Sequence, residues 1–145
     1  MIIVGIDISK KSTGISFYDG KIFTNLQTVT FDNCIQWEEE MTKILMAEKI
    51  DSVVFSETMN FKFGQDTKRI MYGLMYHLEL ICRRLNIPVV VINDSPAKHH
   101  LGILLNKENK EKTLQWANKF VKVSCDDISD SMSFAFFIYN TCIKK

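Results

Sequence analysis

Three short, apolar, β-branched runs, separated by segments of helical period, constrain this chain most. Residues 2–8 (IIVGIDI), 52–57 (SVVFSE) and 88–93 (PVVVIN) are too short for helices and read as buried strands. Between the last two, residues 66–86 place Ile70, Leu74, Leu78, Ile81 and Leu85 on one helical stripe, with Met71, Met75 and Cys82 beside it. Between the first two, Asn33 suits an N-cap for a helix over 34–49 carrying Ile35, Met41, Ile44 and Leu45. Strands joined through helices make right-handed parallel crossovers. The first run differs, because two more strands follow it directly, over 13–18 and 22–31. Their connections are a Ser9-Lys10-Lys11-Ser12 turn and an Asp19-Gly20 hairpin signal, so these three strands pair antiparallel. The expected fold is α/β: a mixed five-stranded sheet, three antiparallel strands then parallel ones, flanked by helices. Residues 111–120 and 129–143 supply later helices, while 95–112 is polar, Lys-rich and weakly patterned. The two stripes of the 66–86 helix call for two partners: the sheet, and either a second subunit or the remainder of one core.

The 145 residues suit a single domain, and 46% hydrophobic with 24% charged residues is the mix of a soluble globular protein. Extended disorder and collagen-like repeats are excluded. No apolar run reaches the ~18 residues of a membrane span, and the chain opens on strand-like sequence without a basic leader segment. A cytoplasmic protein with no membrane partner is expected. Cys34, Cys82, Cys125 and Cys142 are widely spaced and read as free thiols; His99-His100, the one tight histidine pair, does not make a zinc motif. The net charge of +1 argues weakly against a nucleic-acid binder, but it conceals segregation. Residues 1–57 carry a balance of −4, residues 58–125 one of +6 and residues 126–145 one of −1. A basic surface beside an acidic site, or scatter over a solvated surface, would each give those balances.

Four acids stand out by position. Asp7 interrupts the first apolar strand, where a charge is rare unless paired or metal-bound; otherwise it caps the following turn. Glu57 closes the second buried strand, which would lie parallel to the first, so both carboxyl ends face the edge where α/β sheets place ligands. Read alone it is equally an exposed strand-end acid. Asp127 and Asp130, three apart, share a face of the last helix with Cβ atoms roughly 5–6 Å apart. Alternatively, Asp127 is that helix's N-cap and Asp130 serves its dipole. Taken together, the four acids suit hard cations such as Mg²⁺. Two such ions about 3.5–4 Å apart clamp the attacking and leaving oxygens of a phosphodiester.

At these residues the chain resembles the RuvC-type Holliday junction resolvases of the RNase H-like superfamily. Val4-Gly5-Ile6-Asp7 with Thr13-Gly14 matches the first motif, Ser56-Glu57 the second, and Asp127-Ile128-Ser129-Asp130-Ser131-Met132 the closing Asp-x-x-Asp. The resemblance spans nearly the whole chain in order. It implies a homodimeric endodeoxyribonuclease, dependent on Mg²⁺ with Mn²⁺ as substitute, that makes paired nicks in four-way DNA and other branched DNA. Asp7, Glu57, Asp127 and Asp130 would be catalytic metal ligands, with Asp7 bridging. Water attacks phosphorus, and the 3′ oxygen leaves to give a 5′ phosphate.

The resemblance further implies lysines near the scissile phosphate, aligned at Lys98 and Lys112, and an aromatic wedge after the second-motif acid, at Phe61 or Phe63. Lys10, Lys11, Lys62, Lys68, Arg69, Lys107 and Lys110 complete the expected DNA-binding set. The chain departs from the family pattern at Ile8 and Ser9, where proline and glycine are usual, and keeps only Gly102 of a Gly-rich stretch near 102–108. The 15 Lys against 3 Arg point to an AT-rich source, such as a phage or low-GC bacterium, and hence to a bacterial or phage-infected cytoplasm. Two rival readings are a sugar-kinase or actin-like ATPase, with 7–14 as phosphate loop, and a non-catalytic branched-DNA binder. The first needs a second similar domain with an adenosine site; the second would lack one of the four acids.

Overall fold

The chain opens with β1 (Ile3–Ile8), β2 (Ser12–Tyr18) and β3 (Phe23–Thr30) as an antiparallel meander. Helix α1 (Cys34–Met46) leads to β4 (Ser52–Ser56), and α2 (Gln65–Arg84) leads to β5 (Val89–Ile92). Both later strands are parallel to their neighbours, giving one sheet of order β3-β2-β1-β4-β5. Helices α3 (Asp94–His100), α4 (Asn109–Ala117) and α5 (Asp126–Ile138) follow, the last running into a π-helical turn over Tyr139–Ile143. This computed structural model describes residues 1–57, 62–103 and 109–144.

The expected mixed sheet is present, with differences in detail. Residues 95–112 were unpatterned in sequence, yet seven of the residues from 94 onward form α3, with Pro96 tolerated in its first turn. The closing helix starts at Asp126, and its N-cap is Cys125, so Asp127 lies inside the first turn and is not the cap. In α1 the Asn33 cap holds, its side chain accepting from the Gln36 N–H, but Ile35 is 73% exposed. The buried stripe is instead Trp37, Met41 and Leu45, spaced by four. Trp37 donates from Nε1 to Thr13 Oγ1 at 2.9 Å, pinning α1 to β2.

Both stripes of α2 are buried in one core with β1, β4 and α1, so Met71, Met75 and Cys82 find their partners within the chain. Burial pushes the Cys82 thiol up to about 12, leaving it a packing group. The opposite face of the sheet carries a second apolar cluster under α3, α4 and α5, including Ile3, Val54, Ala97, Ala117, Met132 and Phe134. No helix among the described residues is long and apolar enough to cross a membrane.

Two glycines set how closely α5 approaches the sheet. A Cβ on Gly5 would stand 1.9 Å from the Ser131 carbonyl oxygen, and one on Gly14 would stand 2.1 Å from that of Asp127. Both glycines belong to the face that meets α5, so the helix backbone rests directly on β1 and β2. That contact delivers the acidic end of α5 to the end of β1.

Candidate active site

Asp7 is the penultimate residue of β1 and is paired in register with Gly14 of β2. Because Gly14 has no side chain, the first turn of α5 descends beside Asp7 and brings Asp127 and Asp130 into the same cavity of about 650 Å³. Asp94, the first residue of α3, is a fourth carboxylate on that wall. Lys10 and Lys11 enter from the β1–β2 turn and Lys110 from α4, while Phe63 and Met71 supply apolar wall.

The β1–β2 turn is held by hydroxyls. Ser9 donates its backbone N–H and its Oγ to the Ser12 carbonyl, each at 2.9 Å. Ser12 in turn donates Oγ to Asp127 Oδ2 at 2.5 Å, fixing one oxygen of that carboxylate. Asp130 is held from the other side: Lys98 Nζ bonds its Oδ1 and also donates to Thr113 Oγ1 at 3.0 Å. Thr113 Oγ1 in turn donates a hydrogen bond to the Asn109 carbonyl at 2.7 Å. Lys110 pairs with Asp126 Oδ2 at 3.1 Å, on the rim.

The carboxylates oppose one another. Burial raises the Asp7 carboxyl well above its ordinary range, and the charges of Asp130, Asp127 and Asp94 raise it further, with Lys98 opposing. Asp130 is also raised, by burial first and with a contribution from Asp94, although the adjacent Lys98 pulls it down. The donors are all oxygen, and Asp7 and Asp130 are held toward the neutral acid chiefly by burial, an environment that a hard divalent cation would relieve. Among the described residues, no group of three His, Cys, Asp or Glu side chains is drawn close enough to hold a metal as the chain stands. Two carboxylate oxygens are instead committed to Ser12 and Lys98.

The other expected residues are dispersed. Glu57 is exposed just beyond β4, its N–H donating to the Ile92 carbonyl at 3.0 Å, and it is not part of the cavity lining. Lys98 is 4% exposed and also lies off the cavity wall, behind Asp130. Lys112 lies half-buried on α4, Lys62 is exposed before α2, and Lys68 and Arg69 occupy the first turns of α2. Phe63, of the two wedge candidates, lines the cavity and is 39% exposed. Phe61 and Lys107 lie outside the described residues. Ser9, Ser12, Asp94 and Thr113 were not singled out in the sequence. Asp94 carried a usable signal, since it follows an apolar strand much as Glu57 does. The Ser12 and Thr113 contacts join residues distant in sequence and carried none.

No family model matches the chain, and no curated protein matches it in sequence. Solved structures do match in fold. RuvC of T. thermophilus, in complex with Holliday junction substrate, superposes with a TM-score of 0.78 at 12% identity, covering 97% of this chain and 94% of that one. The Fowlpox virus resolvase, in complex with substrate Holliday junction DNA, gives a TM-score of 0.66 at 18% identity over 99% and 100% of the two chains. A ROK family protein from Streptococcus pneumoniae TIGR4, in complex with sucrose, reaches only 0.51 at 17% identity, over 68% of this chain and 36% of that one. The resemblance read in the sequence therefore holds for the fold, which is the RNase H-like α/β fold of RuvC-type resolvases.

Proposed function

We propose that the protein is a Mg²⁺-dependent endodeoxyribonuclease that resolves Holliday junctions and other branched DNA by paired nicks. The observation that carries this reading is the meeting of Asp7, Asp127 and Asp130 in one cavity, on a fold shared over nearly its full length with two resolvases solved on junction DNA. Asp7, Asp127 and Asp130 would hold the cations, with Glu57 closing in from the end of β4. Mg²⁺ held there would supply Lewis-acid polarisation of the scissile phosphate and activation of water near neutral pH, and Mn²⁺ should substitute. Three lysines on the cavity wall, Lys10, Lys11 and Lys110, are placed to bind phosphate and to offset charge developing at phosphorus. Phe63, at the cavity wall, offers an apolar face to a base displaced by junction distortion. The expected products carry a 5′ phosphate.

Paired nicks need two such sites acting together, and a homodimer supplies them. Exposed Tyr72 and Tyr76, one turn apart on α2, give this reading a surface that a second copy would cover. Purified protein incubated with labelled four-way, three-way and linear duplex DNA in Mg²⁺ or Mn²⁺ should incise the branched substrates only. Binding without incision in either ion would assign the fold to a non-catalytic DNA binder.

A further inference from the structure

Resting on the nuclease reading above, we infer that Lys98 is a positioning residue, itself held by Thr113, that fixes Asp130 from behind, and that contact with substrate phosphate falls to the cavity-wall lysines Lys10, Lys11 and Lys110. Lys98 is nearly fully buried, on the inward side of the short helix α3. Its ammonium is engaged by Asp130 Oδ1 and by the buried hydroxyl of Thr113 on α4. Neither Lys98 nor Thr113 reaches the cavity wall, whereas Lys10, Lys11 and Lys110 all do. For a phosphate to meet that ammonium, the contacts with Asp130 and Thr113 would have to break. An ammonium in that position still acts on the reaction. It fixes the carboxylate rotamer, and it neutralises one anion of a cluster that also contains Asp7, Asp94 and Asp127. A divalent cation held by Asp130 would share that carboxylate with Lys98, so Lys98 sets how tightly the cation is bound and leaves it the oxygen that Lys98 does not engage.

The two roles separate experimentally. Each phosphate contact contributes about one unit to the slope of log affinity against log salt. Junction binding is measured in EDTA over a salt series, and Mg²⁺ binding is measured as the midpoint of Mg²⁺-induced thermal stabilisation, so neither depends on cleavage. Lys98→Met should leave junction affinity within about two-fold and the salt slope unchanged, since no phosphate contact is lost. Its Mg²⁺ midpoint should fall several-fold because a competing positive charge has gone. Lys10→Ala and Lys110→Ala should each lower the salt slope by about one and leave the Mg²⁺ midpoint near wild type.

Should Lys98→Met not fold, Thr113→Val is read instead. It should keep junction affinity and salt slope while lowering the cleavage rate at saturating Mg²⁺, with Thr113→Ser restoring the rate. A salt slope reduced by about one in Lys98→Met, with an unchanged Mg²⁺ midpoint, would overturn the assignment and make Lys98 a phosphate contact. Full cleavage by Thr113→Val would overturn it as well. Failure of the wild-type protein to cut any branched DNA would instead strike the nuclease reading, leaving the salt and Mg²⁺ measurements to decide the role of Lys98.

Discussion

On the proposed reading, Asp7 is the residue on which stability and function conflict. Its folded-state carboxyl titrates well above the ordinary range because it is buried and surrounded by Asp130, Asp127 and Asp94. The folded chain therefore keeps a proton that the unfolded chain loses near pH 4. Metal-free stability is full below that pH and declines as pH rises through the raised folded value. Asp7→Asn removes the titration. Its metal-free melting temperature should match wild type at about pH 4 and exceed it at neutral pH, where wild type must either carry the buried anion or retain a proton. Mg²⁺ should raise the wild-type melting temperature, by mass action on the folded state, and should scarcely move that of the variant. Cleavage should be lost in Asp7→Asn while junction binding survives. A wild-type advantage in metal-free stability that is independent of pH would show that Asp7 is not the strained carboxylate described.

At the scale of elements, the site depends on how closely α5 sits on the sheet, and two missing side chains set that distance. An alanine at Gly14 would drive its Cβ into the Asp127 carbonyl, and one at Gly5 into that of Ser131; in both cases the obstacle is backbone, which cannot rotate away. Overpacking of this kind costs about 1–3 kcal/mol, and contacts with backbone belong at the upper end. Gly14→Ala and Gly5→Ala should each lose about 3 kcal/mol in urea unfolding, and Gly14→Ala should also weaken Mg²⁺ binding by lifting Asp127 away from Asp7. Gly73 is the opposing control: it lies inside α2 with open space where its Cβ would be, so Gly73→Ala should gain about 0.5–1 kcal/mol from helix propensity. Equal effects at all three glycines would show that helix approach is not limited at Gly5 and Gly14.

The same elements show what could be read without coordinates. The strands were legible because apolar β-branched runs of four to eight residues have few alternatives, and Asp7 was conspicuous as a charge within one of them. Helix α3 was not legible, since its seven residues include Ser95, Pro96 and two histidines and bury only Ala97 and Lys98. Lys98 aligned as a lysine near the scissile phosphate, and its burial was not legible because the partners that bury it lie 15 and 32 residues away in sequence. Ile35 was misplaced for a simpler reason: a stripe spaced by four through Trp37 competes with one through Ile35, and the aromatic residue with a hydroxyl partner takes the core.

At the scale of the whole molecule, the near-neutral net charge is the sum of unlike parts that the fold brings to one place. Asp7 comes from the acidic first segment and Asp127 and Asp130 from the last, while Lys110 arrives from the basic middle. On the proposed reading, cations held by the carboxylates would turn the cavity face positive, as a phosphate-binding surface requires. On the proposed nuclease reading, a single cavity of this kind would make one nick, and a nicked junction is not resolved. Two nicks within one binding event demand two cavities, and the tyrosine face of α2 is the surface assigned to that pairing. Tyr72 and Tyr76 are 55% and 62% exposed, and a carboxylate there would be desolvated against its own copy in a symmetric dimer. Tyr76→Glu should therefore halve the mass measured by light scattering at micromolar concentration while leaving the melting temperature and Mg²⁺ midpoint of the protomer near wild type. On a supercoiled plasmid carrying an extruded cruciform, the wild-type protein should yield linear product directly, because both strands are cut before dissociation. Tyr76→Glu should yield nicked circles, since relaxation after the first cut reabsorbs the cruciform before a second protomer arrives. Direct linear product from a monomeric Tyr76→Glu protein would show that coordination of the nicks does not depend on this surface.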